Sequence, residues 1–162
     1  MAGTAAAVCY HPVVPGLLVA LTLTVAPLLA QELPVADGSA FSLDRTLAAG
    51  PAVFVFWNSW LPEAGRFVPL LQEVDRAAAA HGWPGAVVVF QEDGDTWSGK
   101  IGAAGVALPR LLDRRGQLLR RFQVTRAPSV LVVGRRGEVL ERSGPEPEKV
   151  RALLAALAAR RP

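Results

Sequence analysis

Residues 53–71 read VFVFWNSWLPEAGRFVPLL, an apolar run rich in valine and phenylalanine that breaks at two tryptophans and a proline and then resumes with helical spacing. Val53 to Phe56 carries no polar residue on either face, the pattern of a central strand covered on both sides by helices. Beyond the turn, Phe67, Leu70, Leu71 and Val74 recur at helical intervals, which gives a helix from about Pro62 to Ala80 one apolar face that packs back on the sheet. Pro62 falls in the first turn of that helix, where a missing N–H is tolerated, and His81-Gly82 supplies the stop.

Working outward, Ala86 to Phe90 (AVVVF) is a second continuous apolar strand. A helix separates it from the first, so the two are expected to be parallel neighbours in a βαβ unit with a right-handed crossover. Upstream, Asp37-Gly38 marks a turn, and Phe41 and Leu43 alternate with polar neighbours as a short strand and loop before Gly50-Pro51. Downstream, Gln91 to Thr96 places Glu92, Asp93 and Asp95 in an acidic loop that lacks the later glutamate of a calcium loop, so no metal is assigned. Trp97 to Val106 reads as a short helix loosened by glycines. Ser129 to Val133 and Glu138 to Glu141 flank Gly134-Arg135-Arg136-Gly137 as an antiparallel hairpin. Pro147 to Arg160, with Val150, Leu153, Leu154 and Leu157 on one face, closes the chain as an amphipathic helix.

The chain of 162 residues, 51% hydrophobic, is long enough for one domain with a full core and too short for two ordinary ones. Its net charge of +3 divides unevenly, with 4 basic and 9 acidic residues in 1–109 against 13 basic and 5 acidic in 110–162. The arginines of the second part come as pairs beside glycines, Arg114-Arg115 and Arg135-Arg136, which reads as solvated turns and assigns no nucleic-acid partner. The one cysteine, Cys9, lies ahead of the apolar segment 13–30, VVPGLLVALTLTVAPLLA. That segment ends in Ala30 before Gln31-Glu32, the outline of a signal peptide, although no lysine or arginine precedes it and Leu28 stands three residues before the candidate cut. Its length is also the lower limit for a bilayer span, so residues 1–30 are a signal peptide or a membrane anchor of an exported, periplasmic or extracytoplasmic protein. Cleavage removes the only thiol, which excludes a disulfide framework, a cysteine metal site and a cysteine nucleophile.

Trp57 to Ala64, W-N-S-W-L-P-E-A, resembles the W-x-x-W-C-x-x-C signature of thioredoxin-fold proteins, in particular the TlpA/ResA-like thiol-disulfide oxidoreductases of the bacterial cell envelope. The likeness covers roughly residues 37–160 and is carried further by Asp113 to Gly116, by the loop Val124-Thr125-Arg126-Ala127-Pro128, and by the hairpin glycines. It implies an α/β thioredoxin fold, a mixed sheet with helices on both faces. In that fold Leu111-Leu112, the Asp113 turn and Leu118 to Phe122 correspond to a short strand, a turn and a small helix ahead of the proline loop.

Both cysteines of the signature are replaced: Leu61 stands at the place of the nucleophilic thiol and Ala64 at that of the resolving one. Disulfide exchange needs a thiolate to attack and a second thiol to resolve, and neither side chain does either. Val55, two before Trp57, stands where many thioredoxins carry a buried proton-shuttling carboxylate. His11 lies in the N-terminal segment and His81 at a helix end with no second ligand, while Glu63 is a lone carboxylate without the partner a general base needs. No catalytic residue, metal or cofactor is therefore assigned. A binding surface remains. Pro128 matches the family's cis proline, Ala127 before it would offer backbone N–H and C=O to an extended peptide, and Trp60, Leu61 and Pro62 lie beside that edge. Trp57 reads as core; Trp60 is either a fold marker or a contact residue. The leading expectation is a redox-inactive thioredoxin-like protein that binds an envelope protein or peptide at this groove. The alternatives are an oxidoreductase using thiols lent by a partner or by glutathione, and a structural domain of an envelope assembly.

Overall fold

A computed structural model describes residues 32–62, 64–91 and 104–159. Its scaffold is a five-stranded sheet of β3 (Ala52–Phe56), β4 (Gly85–Phe90), β5 (Arg110–Asp113), β6 (Ser129–Val133) and β7 (Val139–Ser143), in the order β5-β4-β3-β6-β7. β3 pairs parallel with β4 and antiparallel with β6, so the strand expected to be central is central. β4 runs parallel to β5, and β6 and β7 form the expected antiparallel hairpin.

Strand alternation divides the core in two. Val53 and Val55 face α2 (Ala64–His81) and α4 (Pro147–Ala159), meeting Phe67, Leu71, Val74 and Val150. Ala52, Phe54 and Phe56 face the opposite layer, built from α1 (Leu43–Ala49), α3 (Gln117–Arg121) and the small hairpin of β1 (Glu32–Pro34) and β2 (Ala40–Ser42). Phe122 stacks on Phe54 at 5.8 Å and meets Phe56 edge-on at 6.4 Å. Each such side chain, fully buried, contributes about 1.5–3 kcal/mol. Gly85 is demanded by the parallel pairing, because a Cβ there would collide with the Val53 carbonyl oxygen.

Three expectations are corrected or left aside. Leu43 opens a helix where a strand and loop were expected, because Ser42 caps it: the Ser42 hydroxyl accepts from the Arg45 N–H at 3.3 Å. Pro62 lies in the turn ahead of α2 and not in its first turn, since the described helix starts at Ala64, whose N–H bonds the Leu61 carbonyl at 2.9 Å. Helix α2 instead carries Pro69 on its exposed face. The acidic residues Glu92, Asp93 and Asp95, Glu63, residues 1–30 with Cys9 and His11, and most of the expected helix 97–106 lie outside the described residues; 104 and 105 of that helix form a turn. Among the described residues no helix is long and apolar enough to cross a membrane.

Candidate functional site

The site grows from the carboxyl end of β3. Trp57 is fully buried, and its indole Nε1–H donates to the Ala64 carbonyl at 3.2 Å, tying the strand end to the first residue of α2. Asn58, also fully buried, reaches across to the last residue of β4. Its Oδ1 accepts from the Phe90 N–H at 3.0 Å while its Nδ2 donates to the Phe90 carbonyl. These two side chains hold the turn between them, so Ser59 to Pro62 is presented at the end of the sheet. Trp60 emerges there, 56% exposed, with its ring edge-on to Phe90 at 6.4 Å.

Leu61 is half-buried and packs against the core cluster of β3, α2 and α4. Ala64 is buried, and Val55 is fully buried among valines and helix side chains. The three residues that the resemblance sets at the nucleophile, resolving-thiol and proton-shuttle positions, Leu61, Ala64 and Val55, thus lie in or against one apolar core. Among the described residues no cluster of three or more histidine, cysteine, aspartate or glutamate side chains is arranged to hold a metal.

The second wall is the loop that leads into β6, where the Ala127–Pro128 peptide is cis. Pro128 is buried, and Ala127 is half-buried in front of it. Between the walls lies a hollow of about 200 Å³ lined by Trp60, Leu61, Phe90, Val124, Arg126 and Ala127, with Leu119 and Thr125. The structure therefore brings Trp60, Leu61 and Ala127 together as expected. It sets Pro128 behind the wall and leaves Pro62, though exposed nearby, out of the lining.

Three further residues build this site: Asn58 and Arg142, which the sequence did not single out, and Asp113, legible there only as part of a turn. Asn58 stood inside the quoted motif, and its signal was a polar side chain directly after a fully apolar strand. Asp113 is 1% exposed and accepts from three N–H groups at the start of α3, those of Gln117, Leu118 and Leu119 at 2.6, 2.9 and 3.2 Å. Arg142, on the edge strand β7, donates to the Phe122 carbonyl at 2.6 Å and the Gln123 carbonyl at 2.7 Å, fastening the end of α3 where Gln123 turns at a positive φ of 51°. Asp113 and Arg142 together fix both ends of α3, from which the chain runs directly into Val124 to Pro128. Away from the groove, Arg151 grips Glu73 with two hydrogen bonds of 2.8 Å, joining α4 to α2. That hydrogen bonding, opposed by some desolvation, holds the Glu73 carboxyl below its usual range.

No protein-family model and no curated protein matches the chain. Solved structures do. A putative thiol:disulfide interchange protein DsbE from Chlorobium tepidum is similar with a TM-score of 0.68 at 20% identity, over 80% of this chain and 91% of that one. A secreted disulfide oxidoreductase of Mycobacterium tuberculosis gives 0.64 at 19% identity, over 78% and 96%. StoA from Bacillus subtilis gives 0.58 at 18%, over 77% and 93%. With the strand order and cis proline described above, these likenesses show that the chain has the thioredoxin fold.

Proposed function

We propose that this is a redox-inactive thioredoxin-fold protein of the cell envelope, which binds an extended peptide or protein segment in the groove between Trp60 and Ala127 without covalent chemistry. The observation that carries the proposal is Leu61: an apolar side chain packed on the core at the place of the attacking thiol, beside a largely exposed tryptophan. Leucine there removes the reagent and adds apolar surface to the hollow. None of the described hydrogen bonds engages the Ala127 N–H or C=O, which leaves that short edge open to an added strand. The envelope location rests on the apolar segment 13–30 and on the secreted relative from Mycobacterium tuberculosis.

The test has two halves. In an insulin-reduction assay with dithiothreitol or with glutathione, the protein gives no turnover above the no-enzyme control; measurable acceleration would overturn the redox half. Titration with capped extended peptides shifts the Ala127 amide resonance, and Trp60→Ala abolishes the response. An undiminished response in that variant places binding elsewhere.

A further inference from the structure

The groove does not end at Arg126. Thr125 and Arg126 form a saddle, with the Trp60 hollow on one side and on the other a larger open cavity of about 670 Å³ between β7 and the start of α4. Arg126 lines both, is exposed, and among the described residues has no ion-pair or hydrogen-bond partner. Of the other cations of the cavity, Arg142 is committed to the Phe122 and Gln123 carbonyls, and Lys149, largely exposed, lies 3.9 Å from Glu146. Ser129 and Ser143 also line it, both more than nine-tenths buried, and neither hydroxyl finds a hydrogen-bond partner among the described residues. A buried hydroxyl without a partner is uncommon and is relieved by a ligand that supplies one.

We infer that the segment bound in the groove is acidic. Its apolar residue fills the hollow between Trp60 and Leu61, and a carboxylate side chain further along crosses the Thr125-Arg126 saddle to pair with Arg126 at the mouth of the second cavity. This rests on the groove being a peptide site and adds the chemistry of the partner. Two acidic residues line the same cavity, Glu141 and Glu146, and they repel a carboxylate from its interior. The carboxylate of the partner therefore stays at the Arg126 mouth. A carboxylate facing a guanidinium forms a bidentate, charge-assisted pair, whereas a lysine there is repelled.

The experiment uses the full chain and capped eight-residue peptides of valine and threonine with one central leucine, followed at the second and fourth positions by Glu, Gln or Lys. Binding is read by anisotropy of a peptide label at low and at physiological salt. The Glu peptide is expected to bind about tenfold or more tighter than the Lys peptide, with the Gln peptide between and the gap narrowing as salt screens the exposed charge. Arg126→Glu inverts the order and Arg126→Gln levels it, with circular dichroism confirming that the exposed substitution leaves the fold unchanged. Equal binding of all three peptides, lost in Trp60→Ala, would overturn the acidic preference and leave the groove standing. A Glu preference that survives Arg126→Glu also overturns it, by moving the charge recognition elsewhere. Binding of none of the peptides overturns both.

Discussion

Asn58 offers the sharpest test of how the site is held. The side chain is fully buried and makes two hydrogen bonds to one residue, donating to the Phe90 carbonyl and accepting from the Phe90 N–H. Phe90 ends β4 and is itself 7% exposed, so water does not readily replace the lost amide. Asn58→Ala strands one buried N–H and one buried C=O, each costing about 1–3 kcal/mol, and a loss of about 3 kcal/mol is expected. With a urea slope of about 1.5 kcal/mol/M, the unfolding midpoint falls by about 2 M at unchanged slope. Asn58→Asp separates the two bonds. The carboxylate still accepts from Phe90 N–H but faces its carbonyl without a donor, so the variant is destabilised at neutral pH. The folded state then favours the protonated acid, whose O–H can donate to that carbonyl, so the penalty shrinks as pH falls. Trp60 fluorescence, through the edge-on contact with Phe90, shifts in both variants while the fold persists. A midpoint within about 0.3 M of wild type for Asn58→Ala, at the same slope, would refute the claim that this side chain anchors the turn.

The other elements give predictions of the same kind. Gly85→Ala forces a Cβ onto the Val53 carbonyl oxygen in the parallel register, and a loss of about 2 kcal/mol or more by urea denaturation is expected, since backbone cannot yield as a side chain can. Arg142→Met keeps the stem and removes two bonds to the end of α3; peptide binding weakens more than stability falls, with amide shifts concentrated in residues 124–127, and a uniform shift pattern would count against a positioning role. The Glu73 carboxyl is held below its unfolded range, chiefly by its hydrogen bonds from Arg151, so its contribution is present above the unfolded value and lost as pH falls through the lowered one. The pair is largely exposed, which limits that contribution to about 0.2–1 kcal/mol, and Glu73→Gln should remove the difference in stability between neutral and acid pH by that amount.

The parts of the fold that were legible in the sequence are those where one pattern dominates. Val53 to Phe56 and Ala86 to Phe90 are apolar on both faces because helices cover both, and Phe67, Leu70, Leu71 and Val74 repeat on one face because only one face of α2 meets the sheet. The glycines of 134–137 marked the hairpin, and the turn needs one of them, Gly137, which takes a φ of 83°. Helix α1 escaped for the opposite reason. At seven residues it carries two buried leucines, Leu43 and Leu47, whose spacing means little until the Ser42 cap is seen. Asn58, Asp113 and Arg142 were harder still, since each acts on backbone groups 32, 4 to 6, or 19 to 20 residues away. A side chain's type is written in the sequence; the orphan backbone group it serves is created only when strands and helices meet.

The two residues at the heart of the groove differ in what holds them there. Leu61 packs on the core as well as lining the hollow, so its replacement by alanine would cost stability whether or not anything binds. Trp60 is different. It is more than half exposed and among the described residues its one ring contact is to Phe90, so keeping it there removes far less apolar surface from water than a core tryptophan does. Shape alone would be served by a smaller side chain, and the turn is already held by Trp57 and Asn58. Trp60→Ala is therefore expected to cost about 1–2 kcal/mol, less than a core aromatic, while abolishing peptide binding. A loss of several kcal/mol would show that the tryptophan holds the fold together, and the case for the groove would then rest on Arg126 and the open edge at Ala127.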